Sequence, residues 1–237
     1  MTSCEHGTVE MPADLPERAA FKDRTLLFFS VFVAVLYAVG IARYLHSAND
    51  PLLLTATPWF LLVTGLPAFI ISIPSERRAL YLAWGVVSCI LALAAEILGV
   101  RTGAVFGVYE YGKTLGTHIL GVPPVIGFNW VIIVLGFSGV YSRLPCGTAC
   151  KALLSAASAT VFDWVMEPVA IALGYWKWEQ DCIPLQNYAA WFLVSLLMSA
   201  AYAHLRVTWR NPAPFIIVFA QLVFFAVLRV SLGLSAC

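Results

Sequence analysis

The sequence predicts an all-α, polytopic integral membrane protein with about seven transmembrane helices in one bundle. Three observations predict it. Hydrophobic residues make up 61% of the 237-residue chain and charged residues only 11%, against about 25% charged in soluble domains. Mean hydropathy is +0.85. Seven separate runs approach the roughly 20 apolar residues that a membrane helix needs. The net charge of +1 gives no electrostatic footprint for nucleic acid.

The elements follow in order. Residues 1–24 are polar, contain Pro12 and Pro16, and read as a mobile N-terminal tail; residues 25–237 read as a single transmembrane helical domain. The first apolar run starts at Thr25, late for a cleaved leader, and no small-residue cleavage site follows it. It is therefore expected to be retained as the first span. The expected spans are roughly 25–45, 52–73, 79–100, 123–142, 152–173, 188–205 and 213–233, the sixth being the shortest. No internal repeat stands out.

Orientation follows from the basic residues of the short loops. Arg18, Lys22, Arg24, Arg77, Arg78, Arg143, Lys151, Arg206 and Arg210 fall on one side; Arg43, Arg101, Lys113, Lys177 and Arg229 fall on the other. The bias predicts a multi-pass protein of the cell membrane with its N-terminus in the cytoplasm.

Two connections on the expected outer side are longer than a link requires: "RTGAVFGVYEYGKTLGTHILGV" (101–122) and "GYWKWEQDCIPLQN" (174–187). Their Tyr109, Tyr111, Trp176 and Trp178 suit an interfacial aromatic belt. They suit a lid over a pocket equally well.

The chemistry concentrates in "FDWVMEP" (162–168). Asp163 and Glu167 are four residues apart and share a helix face. A carboxylate at the bilayer centre costs about 2.5–3.5 kcal/mol on insertion scales. Two ionised on one face would also repel, so one of the pair is expected to hold a proton. Pro168 removes the hydrogen bond to the carbonyl of Trp164 and bends the helix. Glu96 is a third acid inside a span, and Arg229 in the last span is the natural counter-charge. Intramembrane charges of this kind usually face a cavity or pathway. They serve proton transport and catalysis alike.

Other chemistries are poorly represented. The chain has no Walker loop, no G-x-G-x-x-G and no H-E-x-x-H. His6, His46, His118 and His204 are scattered, which disfavours a haem or di-iron centre. Cys146 and Cys150 form C-x3-C without further ligands nearby, so the six cysteines read as scattered thiols and no metal site is expected.

Residues 96–130 ("EILGVRTGAVFGVYEYGKTLGTHILGVPPVIGFNW"), 162–179 ("FDWVMEPVAIALGYWKWE") and 183–192 ("IPLQNYAAWF") resemble the membrane-integral carotenoid 1,2-hydratase family, the CruF-type carotenoid biosynthesis proteins. The likeness rests on a TG-x-x-FG-x-Y-x-Y loop, a VP step before an N-W helix, and D-x-x-x-E-P followed by GYW-x-W and P-x-x-N. It covers about 96–192. It implies a hydro-lyase that adds water across the terminal C1–C2 double bond of an acyclic (ψ) carotenoid end. Substrates of γ-carotene, lycopene or bacterioruberin-precursor type would give a tertiary alcohol, with no cofactor. Implied partners are the carotenoid, water and membrane lipids, with other carotenoid-biosynthesis enzymes as further candidates.

Such a reaction places a proton on C2, and water then captures the cation at C1. It needs a neutral acid in a dry pocket, aromatic faces for the cation and a positioned water. Asp163 is the expected proton donor, because it sits deepest. Glu167 keeps Asp163 protonated or relays a proton, and Glu96 orients the water. Trp130, Trp164, Trp176 and Tyr111 are candidates for cation stabilisation, and Asn129 and Asn187 for holding water or a helix end. Tyr109, Phe106 and Trp191 complete the expected substrate-binding set. A carotenoid cyclase or isomerase would begin with the same protonation, and a proton-coupled transporter would use the same acids as a relay. A non-catalytic carotenoid-binding subunit would keep the aromatics without needing three buried acids.

Overall fold

A computed structural model describes residues 15–46, 51–180, 182–207 and 211–235. Among these the chain forms seven α-helices: α1 (Leu15–His46), α2 (Pro51–Ile71), α3 (Arg78–Thr102), α4 (Pro124–Tyr141), α5 (Thr148–Ala172), α6 (Leu185–His204) and α7 (Ala213–Ser231). They stand where the seven apolar runs are. Five of them carry stretches long and apolar enough to cross a membrane: α1 over Arg24–His46, α3, α4, α5 and α7. In α2 the apolar helix is shorter, Thr55–Ile71. Gln186, Asn187, Ser195 and Ser199 lower the hydropathy of α6. The protein is an all-α, polytopic membrane protein.

One boundary differs from expectation. The first helix begins at Leu15, upstream of the apolar run at Thr25, so residues 15–24 belong to α1 rather than to a tail. The remaining tail, 1–14, lies outside the described residues.

Side-chain distribution is that of a bundle in lipid. Phe28, Val31, Val35, Val86, Val87, Ile90, Val161 and Leu197 are all exposed, as apolar groups facing acyl chains are. Ser30, Thr64, Ser72, Ser155 and Thr160 each donate to the carbonyl four residues back. That satisfies their hydroxyls inside their own helix, which a lipid environment requires.

The central helix is α4. It is apolar all round and buried from Val125 through Gly139 apart from one side of its second turn. It packs against α2, α3, α5, α6 and α7. Small residues set these approaches. A Cβ on Gly127 would collide with Leu93, and one on Gly136 would lie 2.7 Å from Val218 and 3.1 Å from the Pro214 carbonyl.

The long connections meet at one end of the bundle. Each contains a short strand, β1 (Tyr109–Tyr111) and β2 (Trp176–Trp178), and the two pair antiparallel in the register Tyr109↔Trp178, Glu110↔Lys177, Tyr111↔Trp176. The ladder continues outward through Glu179 N–H to the Val108 carbonyl and Gly112 N–H to the Tyr175 carbonyl. Gly112 admits this pairing because any side chain there would strike the Gly174 carbonyl. Alternation along a strand puts successive side chains on opposite faces. Glu110 and Lys177 are exposed, whereas Tyr109, Trp176 and Trp178 are buried and Tyr111 is half-buried. Gly103, in the left-handed region at φ 65°, closes α3 by donating to the Gly99 carbonyl and starts the first connection.

Candidate functional site

The inward face of the two-stranded sheet meets three buried acids. Glu96, in the last third of α3, is held by three donors. Tyr109 Oη and Tyr111 Oη (2.8 Å) donate to its Oε2, and Trp130 Nε1 donates to its Oε1 at 3.0 Å. Burial, reinforced by the negative charge of Glu96, holds both phenols well above the ordinary tyrosine value. Both therefore keep the proton they donate.

Glu167, on α5, is held in the same way from the other strand. Trp176 Nε1 and Trp178 Nε1 both donate to its Oε2 at 3.0 Å, and Asn187 Nδ2 donates to its Oε1 at 3.3 Å. The same Asn187 amide donates to Asp163 Oδ2 at 2.7 Å. Asn187 thus ties together the two acids that share one face of α5. Asp163 is fully enclosed, at 0% exposure, and its Oδ1 has no hydrogen-bond partner among the described residues.

These groups wall a cavity of about 220 Å³. Glu96, Glu167 and Asn187 contribute polar atoms to a lining that is otherwise mostly ring and aliphatic carbon. Trp130 and Trp191 stack on one side with centroids 3.7 Å apart and planes at 18°. On the other side the lining comes from α1, α2 and α7, including Tyr37, Tyr44, Phe60 and Phe224. Val39 of α1 and Ala56 of α2 both line the cavity and are exposed. The cavity therefore reaches the lipid-facing surface between these two helices.

Of the sequence-derived candidates, Glu96, Glu167, Phe106, Tyr109, Tyr111, Asn129, Trp130, Trp176, Asn187 and Trp191 all line the cavity. Asp163 is not among the lining residues; it stands behind Glu167 and Asn187. Trp164 is a correction. It is 48% exposed, because residues adjacent in a helix point about 100° apart and Asp163 takes the inward direction. The Arg229 guanidinium lies 4.2 Å above its ring centroid. Arg229 also departs from expectation. Its Nη1 donates at 2.7 Å to the Trp164 carbonyl, the group that Pro168 leaves without a helical partner. The arginine satisfies this freed carbonyl within a helix that continues to Ala172, rather than pairing with an acid.

Trp178, Tyr175, Tyr37, Tyr44 and Gln221 also line the cavity, beyond the sequence-derived set. Trp178 shares the alternation of Trp176. A lone glutamine in the apolar run of α7 was the available signal for Gln221. The seven-residue spacing of Tyr37 and Tyr44 places them on one face of α1. Cys89, Cys146 and Cys150 are free thiols, but Cys182 is disulfide-bonded, which corrects the reading of all six as scattered thiols. Among the described residues no cluster of three ligating side chains occurs.

A mostly apolar cavity, walled by rings, furnished with buried acids and open to the lipid face, defines an integral-membrane site for a hydrophobic substrate. Its lineage agrees. The chain belongs to the carotenoid biosynthesis protein family, whose model matches residues 29–236. It is 32% identical, over 205 residues, to the bisanhydrobacterioruberin hydratase of Haloarcula japonica, an alignment covering 77% of this chain and 67% of that protein. No solved structure matches it.

Proposed function

We propose that this protein is a carotenoid hydratase that adds water across the terminal C1–C2 double bond of an acyclic carotenoid end. The observation that carries the proposal is that Glu96 and Glu167 both line one ring-walled cavity. A hydration needs an acid and a base within reach of one alkene, and the two carboxyls line the same small space from different helices.

The cavity, at about 220 Å³, suits the end of an isoprenoid chain and not a whole polyene. The remaining polyene would leave between α1 and α2 into lipid. The Asp163–Asn187–Glu167 group supplies the proton to C2. Asp163 is the only one of the three acids with an oxygen that no donor occupies, so it is the natural store of that proton, and Glu167 is its outlet on the cavity. The cation at C1 then lies among the faces of Trp130, Trp191, Trp176 and Trp178, whose quadrupoles favour positive charge. Glu96 accepts the proton of the attacking water as the C–O bond forms. Two of its three partners are phenols, which can donate and accept in turn and so can return the proton toward the loop surface.

The test is expression of the chain in cells that make lycopene or γ-carotene, with pigments read by liquid chromatography and mass spectrometry. A more polar pigment, heavier by one water and with an unchanged visible spectrum, is expected, because the terminal alkene lies outside the chromophore. A pigment of unchanged mass and altered retention would replace hydration by cyclisation and overturn the proposal.

A further inference from the structure

The cavity has a second polar region, remote in sequence from the three acids. Tyr37 of α1 and Gln221 of α7 are 5% and 3% exposed, and both line the cavity. Tyr37 Oη and Gln221 Oε1 have no hydrogen-bond partner among the described residues. The phenol stands near the Gln221 and Thr64 side chains. The amide nitrogen of Gln221 is committed to Asn129 Oδ1 at 3.2 Å, which turns its carbonyl oxygen away from that contact. Asn129 also lines the cavity and directly precedes Trp130, the donor to Glu96.

A buried hydroxyl and a buried amide oxygen, both unsatisfied, are costly in a bilayer. Aliphatic and aromatic residues of similar size would avoid that cost. The pair fits one small ligand that both donates and accepts. A water can bridge two such neighbouring groups, accepting from the phenol and donating to the amide oxygen. Glu96, Glu167 and Asn187, polar groups elsewhere in the lining, are already engaged with donors and acceptors of their own.

We infer that Tyr37, Asn129 and Gln221 form a water-binding site that holds the nucleophile of the hydration. The inference rests on the hydratase reading above. In the reaction, the acid group gives a proton to C2 and the alkene pair forms the new C–H bond. The water oxygen then forms the C1–O bond and loses a proton to Glu96. Without water at hand, the cation returns a proton from a neighbouring carbon to the protein. It regenerates substrate, or an isomer, of unchanged composition.

This branching supplies the experiment. Membranes carrying the wild-type full chain, Gln221→Leu or Tyr37→Phe are supplied with lycopene in D2O. Alcohol formed and deuterium in recovered substrate or isomers are both measured per amount of inserted, monodisperse protein. Tyr37→Phe removes a single hydroxyl, so it guards against misfolding of the larger change. Each variant is expected to lower alcohol about fivefold, the worth of one hydrogen bond, while deuterium in substrate or isomers rises above wild type. Alcohol and deuterium uptake falling together would overturn the inference, since that is the signature of a packing role. Unchanged alcohol would overturn it also. Failure of the wild-type chain to make any alcohol would instead remove the hydratase reading, and the water site with it.

Discussion

Glu96 and Glu167 sit in units of the same design. In each, a helix carries the acid near its end, the strand that follows folds back, and two alternate residues of that strand donate rings to the acid. The next helix adds a third donor, Trp130 to Glu96 and Asn187 to Glu167. The strands pair antiparallel, and Trp130 of α4 stacks on Trp191 of α6, so the units stand side by side along the cavity. They differ in chemistry. Glu96 is held by two phenols, which can pass a proton on. Glu167 is held by two indoles, which only donate, and it alone has a second acid on its helix. On the proposed function, the first carboxyl receives a proton and the second is coupled to a stored one.

The comparison breaks first at the acids. Glu167→Gln and Asp163→Asn are each expected to lower alcohol formation by about 10²–10⁴-fold, the range for loss of a general acid. Pigment analysis at matched expression measures it. An active Asp163→Asn variant would reduce Asp163 to an anchor for Asn187. Glu96→Gln is expected to cost about 10²-fold while leaving deuterium exchange into substrate in place, whereas Glu167→Gln should abolish that exchange. Loss of exchange in both would mean that the units do not divide the proton chemistry.

Smaller changes sharpen the contrast. Trp178→Phe and Tyr111→Phe each remove one hydrogen bond to a carboxyl, worth about 1.5–3 kcal/mol where the acceptor is charged. Turnover should fall further for Tyr111→Phe if the phenols move protons as well as hold Glu96; equal losses would make them holders only. Gly112→Ala should lower the melting temperature in detergent, since the collision with the Gly174 carbonyl costs about 1–3 kcal/mol as overpacking does. An unshifted melting curve would mean that the strands part without consequence. Trp164→Phe should change product yield by no more than about 0.5 kcal/mol of effect, as exposed positions do. A larger loss would return Trp164 to the site.

Much of the site was legible in one dimension because membrane burial makes acids conspicuous. Glu96, Asp163 and Glu167 stand out in runs of Leu, Ala and Val. Their aromatic partners, Trp130 of α4 apart, lie in the two loops whose length was itself a signal. The choice between belt and lid was not legible: Tyr111 and Trp176 are equally at home at an interface, and only their register sends them to the acids. Trp164 shows the opposite error. It neighbours Asp163 in sequence, and helical geometry turns it to the outside. Arg229 was matched to the acids by charge, but the nearest unsatisfied group was a carbonyl.

By itself the sequence determined the class of molecule, the number and order of the helices, and the identity of the acids. Apolar run length and the cost of a charge in lipid are local quantities, so they can be read residue by residue. Tertiary structure alone decided which donors hold which acid, that Asp163 stands behind the cavity, and that Tyr37 and Gln221 reach the same space. Those facts depend on pairing strands and helices that are far apart in the chain. The physical reason is that an unpaired buried polar group is costly, and which partner relieves that cost is chosen by proximity in the folded bundle.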